Sequence, residues 1–470
     1  MSLINRFIQI DENWFGEQSF YLANEGVVKL KSMPGIYDNQ NLIYHKLLIL
    51  MGAVVVKIFG WSVFNFKLLT LSFFIIFLFV FNRYNRSYIS GFTKSQSVIP
   101  LFFIFFAPVM IEHTFTFRPE IFVMTFGFLS YFFLINFLNR AEYKYVLLAG
   151  LFAGLAFFTT LNGILFILAG SILLVFHKKF KGLMLFLLLS TIAFAGFFWD
   201  LWQPGHWKLF QEQVKSGATS KLGEGILSMD IIDFIVFKIT NLASEHQRFF
   251  WSERVQAFSL LFLIAFISKF KLLWKEYKNL TIYLLSLIVS LSLFSSHLAE
   301  RYLIYYLPFM ALIISIGIVK LKNSDSKYIF YIYSFVFIIN LVFIVRQYVW
   351  IFSSNQQSAL VHREMIGKLP EKNNKVFAPW SFIYNEIHNC DLMSYQAMQY
   401  YQDNEKKKFS RVECIDLLKN RFKVKYIILD NNISVEPEND YDWFRGIRMQ
   451  GDSTLSLLYS DKNYLIYSIK

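Results

Sequence analysis

Residues 118–140 read RPEIFVMTFGFLSYFFLINFLNR, and nineteen consecutive residues of this stretch, 121–139, carry no charge. An α-helix of about 20 apolar residues is long enough to cross the hydrocarbon core of a bilayer. The charged residues stand only at the two ends of the stretch, where a spanning helix meets water. This segment therefore predicts a transmembrane helix, and it decides the fold class.

Apolar windows of similar length recur along the chain, and we count ten spans including this one. None shows the ten-residue alternation of an outer-membrane β-barrel, so helices are expected. The predicted spans are residues 66–82, 97–113, 119–138, 144–160, 162–177, 182–199, 256–269, 280–296, 302–320 and 328–349.

The overall composition agrees with a polytopic membrane protein. Of 470 residues, 55% are hydrophobic and 17% are charged, whereas an average soluble protein has about 25% charged residues. Such a chain is too apolar for a water-soluble globule or for a disordered protein. The two cysteines exclude a disulfide-rich scaffold.

The net charge of +13 is distributed unevenly between the loops on the two sides of the predicted spans. Fifteen Lys and Arg residues fall in one set of alternate loops, whereas the other set contains Arg118 and Arg301. Because Lys and Arg accumulate in cytoplasmic loops, the first set is predicted to be cytoplasmic. This set comprises residues 83–96, 139–144, 178–181, 269–279 and 320–327.

The remaining segments are then extracytoplasmic. Residues 1–65 form a first loop, the spans occupy 66–349 with a long loop at 200–255, and 350–470 form a polar tail. Within 230–245 (DIIDFIVFKITNLASE) we predict a helix with an apolar face, which lies either at the membrane interface or against the tail.

The tail predicts a small extracytoplasmic α/β domain. Strands are expected at 374–379 and 424–430, a hairpin at 455–468 and a helix at 411–421. The two cysteines, Cys390 and Cys414, both belong to this domain, where they form either a disulfide or two free thiols.

The N-terminus requires a further explanation. Ten crossings and an extracytoplasmic tail place the N-terminus outside, yet residues 1–10 are too short to span and are no signal peptide. We favour a preceding helix that is missing from this chain. The alternative is that 44–61 also spans, which leaves Asp11 inside.

Four polar clusters fall on the predicted outer side, and together they contain both acids and bases. Each one taken singly is also typical of ordinary helix ends, where charged and aromatic side chains reach to the headgroups. Together they favour a reaction site at the outer membrane boundary. The clusters are Asp11-Glu12, Tyr44-His45-Lys46, Glu112-His113 with Arg118-Pro119-Glu120, and Glu300-Arg301-Tyr302.

Signals for other ligands are weak. The eight His residues show no HExxH or paired-ligand spacing, so no cofactor is predicted and a divalent metal lacks support. Glu112-His113 and His388 near Cys390 are the candidate metal ligands. No basic run interleaved with aromatic residues suggests nucleic acid as a partner.

The ordered set of outer motifs resembles the polyprenyl-phosphate-dependent glycosyltransferases of GT-C type. The resemblance is greatest to the bacterial relatives of protein O-mannosyltransferases and of the lipid A aminoarabinose transferase. It covers residues 10–350 and departs from the family where Lys46-Leu47-Leu48-Ile49 lacks the usual prolines. The matching stretches are residues 10–17 (IDENWFGE), 44–48 (YHKLL), 59–62 (FGWS), 118–120 (RPE), 149–156 (AGLFAGLA) and 300–303 (ERYL).

The resemblance implies a GT-C-like helical fold in a bacterial inner membrane, with the site and the tail outside. It implies that a sugar moves, with inversion, from a polyprenyl-phosphate donor to a hydroxyl of a lipid, glycan or protein acceptor. Asp11 is the predicted general base, with Glu12 as helper or runner-up. The predicted donor-phosphate cations are Arg301, then Lys46 and Arg118, and the supporting residues are His45, Glu120, Glu300 and Tyr302.

A transporter or flippase for lipid-linked sugars is the alternative function. Transporters commonly carry ionisable residues or broken helices near the membrane midplane. Here the polar residues lie mainly at the outer helix ends, which favours the enzyme.

Overall fold

The structure is a computed structural model of the chain. It describes residues 10–35, 37–89, 92–216, 230–295, 298–320, 327–353, 359–371, 374–405, 407–430, 454–461 and 464–470.

The described residues are mostly helical. Helices of the first half are α1 (Ile10–Glu25), α2 (Lys46–Phe59), α3 (Val63–Tyr88), α4 (Ile99–Phe105), α5 (Pro108–His113), α6 (Pro119–Arg140), α7 (Tyr143–Thr159), α8 (Ile164–Phe176), α9 (Phe180–Ala195) and α10 (His206–Ser216). Helices of the second half are α11 (Ile231–Ser244), α12 (His246–Phe250), α13 (Glu253–Ser268), α14 (Phe270–Glu276), α15 (Lys278–Phe294), α16 (Leu307–Val319), α17 (Lys327–Ser353), α18 (Ala359–Gly367), α19 (Ser381–Glu386), α20 (Tyr395–Glu405) and α21 (Arg411–Asp416).

Each of the ten predicted windows contains a helix. Within the described part of the chain, four helices are long and apolar enough to cross a membrane, or up to six when each of two bent helix pairs counts as one span. The four are Val63–Tyr88, Pro119–Arg140, Phe180–Phe198 and Tyr328–Ile351. The number of spans and their boundaries therefore stay a prediction.

Local sequence fixes both ends of α6, the most buried of these helices. Arg118 precedes the helix in an extended conformation, and Pro119 occupies the first turn, where its missing N–H costs nothing. Ala141 ends the helix in the left-handed region with φ 58°. The start of α6 is therefore sharply defined, which fixes where the side chains of Arg118 and Glu120 emerge.

Small residues let α7 and α9 approach closely. A Cβ atom on Gly150 would lie 2.4 Å from the backbone oxygen of Phe186, and one on Gly154 would lie 2.5 Å from that of Ser190. The Ser190 hydroxyl donates to the carbonyl oxygen of Gly150 at 3.0 Å. Close backbone approach of this kind is how helices associate in an apolar environment.

The C-terminal domain contains a five-stranded sheet in the order β2-β1-β3-β5-β4. Its strands are β1 (Lys375–Ala378), β2 (Asp391–Ser394), β3 (Val424–Asp430), β4 (Leu455–Ser460) and β5 (Tyr464–Ile469). Strand β1 runs parallel to β2 and β3, whereas β5 pairs antiparallel with β3 and β4. The small α/β domain predicted from the tail is confirmed, including the hairpin and the helix at 411–421, whose last turn is a π-helix.

Part of the first loop belongs to the core of this domain. Leu30, Met33 and Tyr37 are buried in the same apolar cluster as the strands. The Ser394 amide also donates to the carbonyl oxygen of Ser32 at 2.9 Å. The first loop therefore links the helical body to the C-terminal domain.

The structure also bears on the two cysteines and on the helix expected at 230–245. Cys390 and Cys414 are free thiols, of which Cys414 is buried. The helix expected at 230–245 exists as α11, and the Asp230 carboxylate caps it by accepting from the amides of Ile232 and Asp233. No residue of α11 is buried, and apolar Ile231 is 76% exposed.

Candidate functional site

The guanidinium of Arg118 is the centre of a charge network that begins at the N-terminal end of α6. Its Nη1 pairs with Asp11 on α1, and its Nε and Nη2 donate to the two carboxylate oxygens of Glu120, each at 3.2 Å. Only 8% of the Arg118 side chain is exposed. A buried cation needs such partners, so this pairing ties α1 to the start of α6.

Arg301 extends the network from a short 3₁₀ segment, Glu300–Tyr305. Its Nε lies 3.4 Å from Oε1 of Glu120, an ion pair without the alignment of a hydrogen bond. The Arg301 guanidinium also lies 5.4 Å from the centre of the Tyr302 ring. With 32% of its side chain exposed, Arg301 is more accessible than Arg118.

The structure distinguishes the two acids of the predicted catalytic pair. The Asp11 side chain is 43% exposed and is held by Arg118 through Oδ2. Glu12 is 1% exposed, and its Oε1 accepts from the backbone amide of Phe117 at 2.8 Å. The carboxylate of Asp11 can therefore meet a substrate, whereas that of Glu12 is committed to the structure.

His45 precedes α2 and lies close to the network, with its ring 4.9 Å from that of Phe15. Burial lowers the pKa of His45 to about 4, and the positive charges of Arg118 and Arg301 act in the same direction. Glu120 and Asp11 oppose this shift without reversing it. The imidazole is therefore neutral at pH 7 and adds no charge to the network.

Lys46 is engaged elsewhere. Its Nζ lies 2.6 Å from both carboxylate oxygens of Asp200, and the Tyr44 hydroxyl donates to Asp200 Oδ2 at 2.8 Å. The Lys46 side chain is fully buried. Burial lowers the pKa of Lys46 to about 8, and Asp200 limits the fall. Lys46 thus forms a buried ion pair with Asp200, and its predicted role toward a donor phosphate stays a prediction.

Glu300 belongs to a neighbouring cluster. Arg254 Nη1 lies 3.0 Å from Glu112 and 3.1 Å from Glu300, and Gln347 Nε2 donates to Glu112 at 2.9 Å. This cluster joins α5, α13 and α17 beside the 3₁₀ segment that carries Arg301. Glu300 therefore positions that segment through Arg254.

Arg248 on α12 is a cation that the sequence analysis did not single out. It is completely buried, and its Nε lies 2.9 Å from Glu245. Within the described ranges, its Nη1 and Nη2 have no hydrogen-bond partner. The guanidinium lies 5.4 Å from the centre of the Tyr302 ring, the same ring that Arg301 approaches. Two arginines therefore meet at Tyr302.

Asp200, Arg248 and Arg254 are the site residues that sequence reasoning missed. The stretch 246–254 (HQRFFWSER) does mix basic and aromatic residues just before an apolar run, which was a usable signal. Among the described residues, no group of three or more His, Cys, Asp or Glu side chains is placed to hold a metal ion.

Comparison of sequences yields no relative, since no family model and no curated protein matches the chain. Comparison of structures, in contrast, finds similar proteins. The crystal structure of ArnT from Cupriavidus metallidurans bound to undecaprenyl phosphate matches with a TM-score of 0.60 at 11% identity, covering 99% of this chain and 95% of that one. The apo form of ArnT matches with a TM-score of 0.62, the same identity and the same coverage.

A second similar structure is the oligosaccharyltransferase from Archaeoglobus fulgidus in its apo form. It matches with a TM-score of 0.50 at 12% identity, covering 90% of this chain and 66% of that one. ArnT and this enzyme are both GT-C fold glycosyltransferases. The predicted fold class is therefore confirmed: the chain is an α-helical polytopic membrane protein with the GT-C fold and a small C-terminal α/β domain.

The buried pair of Lys46 and Asp200 generates a stability prediction. We expect Asp200→Asn to lower the free energy of unfolding by about 3–5 kcal/mol, because it leaves a buried ammonium without a counter-ion. The measurement is the thermal unfolding midpoint of the purified protein in detergent. The matched control is Glu371→Gln, which breaks an exposed pair with Lys425 and should cost about 1 kcal/mol or less.

The double variant Lys46→Met/Asp200→Leu separates a structural role of the Lys46–Asp200 pair from a catalytic one. Replacing both ions by apolar residues is often neutral for stability, so this protein should unfold near the wild-type temperature. If it is stable but inactive, the ion pair of Lys46 and Asp200 takes part in the reaction. An unchanged midpoint for Asp200→Asn alone would contradict the importance of the pair.

Proposed function

We propose that this protein is a membrane glycosyltransferase that moves a sugar from a polyprenyl-phosphate donor to an acceptor hydroxyl on the extracytoplasmic side. The observation that carries the proposal is the half-exposed carboxylate of Asp11, held by Arg118 in a network of acids and bases that Arg301 also enters. The GT-C fold, shared with ArnT over 99% of this chain, supports it.

In the proposed reaction, the oxygen of the acceptor hydroxyl attacks the anomeric carbon of the donor sugar from the face opposite the phosphate. The bond between that carbon and the phosphate oxygen breaks, and polyprenyl phosphate leaves with the electron pair. Oδ1 of Asp11 takes the hydroxyl proton, while Arg118 holds Oδ2. A single displacement of this kind inverts the configuration of the sugar.

The departing phosphate needs positive charge near it as its own negative charge grows. Arg301 is the leading candidate, because it is one-third exposed and makes a loose contact with Glu120. Arg248 approaches the same Tyr302 ring as Arg301 and has two unbonded nitrogens within the described ranges. We assign the phosphate to Arg301; Arg248, which is buried and paired with Glu245, adds positive charge beside this site without being exposed to it. The undecaprenyl phosphate bound to ArnT supports a lipid phosphate as donor.

Arg118 and Lys46 have lesser roles in this proposal. Arg118 already contacts Asp11 and Glu120 through three nitrogens, so it orients the base rather than the donor. Lys46 is paired with Asp200. Glu120 links Arg118 to Arg301, and through them the base to the phosphate site.

The sidedness of the site is testable with introduced cysteines. In a background with both native cysteines replaced by serine, we expect Asn420→Cys, exposed in the C-terminal domain, to react with an impermeant maleimide in intact spheroplasts. The matched control is Lys179→Cys in a predicted cytoplasmic loop, which should react only after lysis. The reverse pattern would place the site in the cytoplasm.

The general base is tested by Asp11→Asn. We expect normal insertion and folding but turnover lowered by roughly 10²–10⁴, the usual contribution of a general base. The assay is sugar transfer by the purified enzyme from a polyprenyl-phosphate sugar. Glu12→Gln is the control, because Gln keeps an oxygen for the Phe117 amide, and it should lose far less. Normal turnover in Asp11→Asn would remove the carboxylate from the mechanism, and transport without turnover in the wild type would favour the flippase.

The phosphate cation is tested by Arg301→Lys. Lysine keeps the charge and reaches the headgroups equally well, but it loses the planar fork that binds phosphate through two nitrogens. We expect a loss of about 10–150-fold in kcat/KM for the donor, equivalent to roughly 1.5–3 kcal/mol. The control is Arg346→Lys at an exposed helix position paired with Glu253, which should leave kcat/KM unchanged. Full activity in Arg301→Lys would assign Arg301 to helix anchoring alone.

A further inference from the structure

A cleft of about 500 Å³ lies between α1 and the C-terminal domain, away from the charge network. One wall is formed by Glu17 and Tyr21 of α1 and by Lys31 of the first loop. The other wall includes His388 and Asn389, in the turn that leads from α19 into β2. Cavities of this size at the boundary between two parts of a protein commonly bind small molecules.

The two walls are joined by hydrogen bonds through Ser32, the residue after Lys31 of the lining. The buried carboxylate of Glu17 accepts from the Ser32 amide at 3.0 Å and from the Ser32 hydroxyl. That hydroxyl in turn accepts from Trp380 Nε1 at 3.2 Å, and the Ser32 carbonyl accepts from the Ser394 amide. Burial raises the pKa of Glu17 to about 7. The cleft is therefore a pre-formed feature rather than a gap between loosely packed parts.

The lining fits a polyhydroxylated ligand with little net charge. Its polar groups include an imidazole, an amide, a phenol and side chains of both signs, Lys31 and Asp391 among them. Ile383 and Ile387 add an apolar surface. Sugars need this mixture, because their hydroxyl groups both donate and accept hydrogen bonds while their ring C–H groups are apolar. A phosphate or an amine would instead select one sign of charge.

The cleft lies along the same helix as the proposed base. Glu17 is six residues after Asp11 and Tyr21 is ten, which correspond to about 9 Å and 15 Å along the helix axis. A ligand that occupies the cleft and also reaches Asp11 must therefore be longer than a single sugar ring.

From this geometry we infer that the cleft binds the glycan part of an extended acceptor, at a distance from the hydroxyl that reacts at Asp11. This inference rests on the proposed function for its link to the reaction. The binding of a glycan in the cleft can be measured without turnover.

The experiment uses saturation-transfer NMR to measure the binding of soluble trisaccharides of glucose, mannose and N-acetylglucosamine to the full-length protein. The protein is kept in a detergent without a sugar headgroup, so that the detergent does not compete. Asn389→Trp fills the cleft from an exposed position. The Asn389 amide donates to the carboxylate of Glu386 at 2.7 Å. The matched control is Asn420→Trp in the π-helical turn, because Asn420 is also exposed and its amide also donates to a nearby carboxylate, that of Asp416.

We expect at least one trisaccharide to bind the wild type and Asn420→Trp, and to bind Asn389→Trp about tenfold more weakly or worse. Asp11→Asn should bind like the wild type, because the base lies outside the cleft. The inference is wrong if no trisaccharide binds the wild type, or if Asn389→Trp binds equally well. Glycan binding that persists in a wild type with no transferase activity would overturn the proposed function and leave the cleft as a glycan site.

Discussion

A charge that leaves water needs a partner, and the pairing of Arg118 shows how this requirement organises the molecule. Arg118 is almost fully buried, and its guanidinium draws Asp11 from α1 and Glu120 from α6 to one point. Glu120 then meets Arg301, which belongs to a segment far along the chain. Three separate stretches are thus fixed by one set of ion pairs, and Asp11 remains partly open to solvent at their edge.

The same requirement distinguishes the cations of the proposed site from one another. Lys46 is buried against Asp200, and Arg118 pairs with two carboxylates, so both already have counter-ions within the protein. Arg301 and Arg248 are less completely neutralised, and both approach the ring of Tyr302. For the proposed phosphate site, the position of the incompletely paired cations is therefore a better guide than the number of cations.

Much of this architecture could be predicted from the sequence, because hydrophobic length and alternation are local properties. The windows for the helices, the strands at 374–379 and 424–430, and the hairpin at 455–468 all follow from them. The cluster around Arg118 also followed, since polar groups at one set of helix ends must share a membrane face. Interaction partners that are distant in sequence could not be predicted, because the residues around Asp200 and Arg248 do not indicate which side chain each one contacts.

The different environments of Asp11 and Glu12 could not be predicted from the sequence either. The two are neighbours in sequence with the same chemistry, and about 100° of helical rotation divides them. That rotation sends Glu12 to a backbone amide in the interior and leaves Asp11 at the edge. Only packing against α2 and the C-terminal domain decides which face of α1 is buried.

The pair of Lys46 and Asp200 also constrains how the protein is made. The two residues are 154 positions apart, and a ribosome adds about 5–20 residues per second, so roughly 8–30 s separate their synthesis. During that interval the ammonium of Lys46 lacks this counter-ion, and burying it alone is unfavourable. We therefore expect α2 to stay at the hydrated surface of the membrane until α9 has been synthesised, and to pack into the protein only then. In chains arrested before residue 200, Lys46 should be exposed to water.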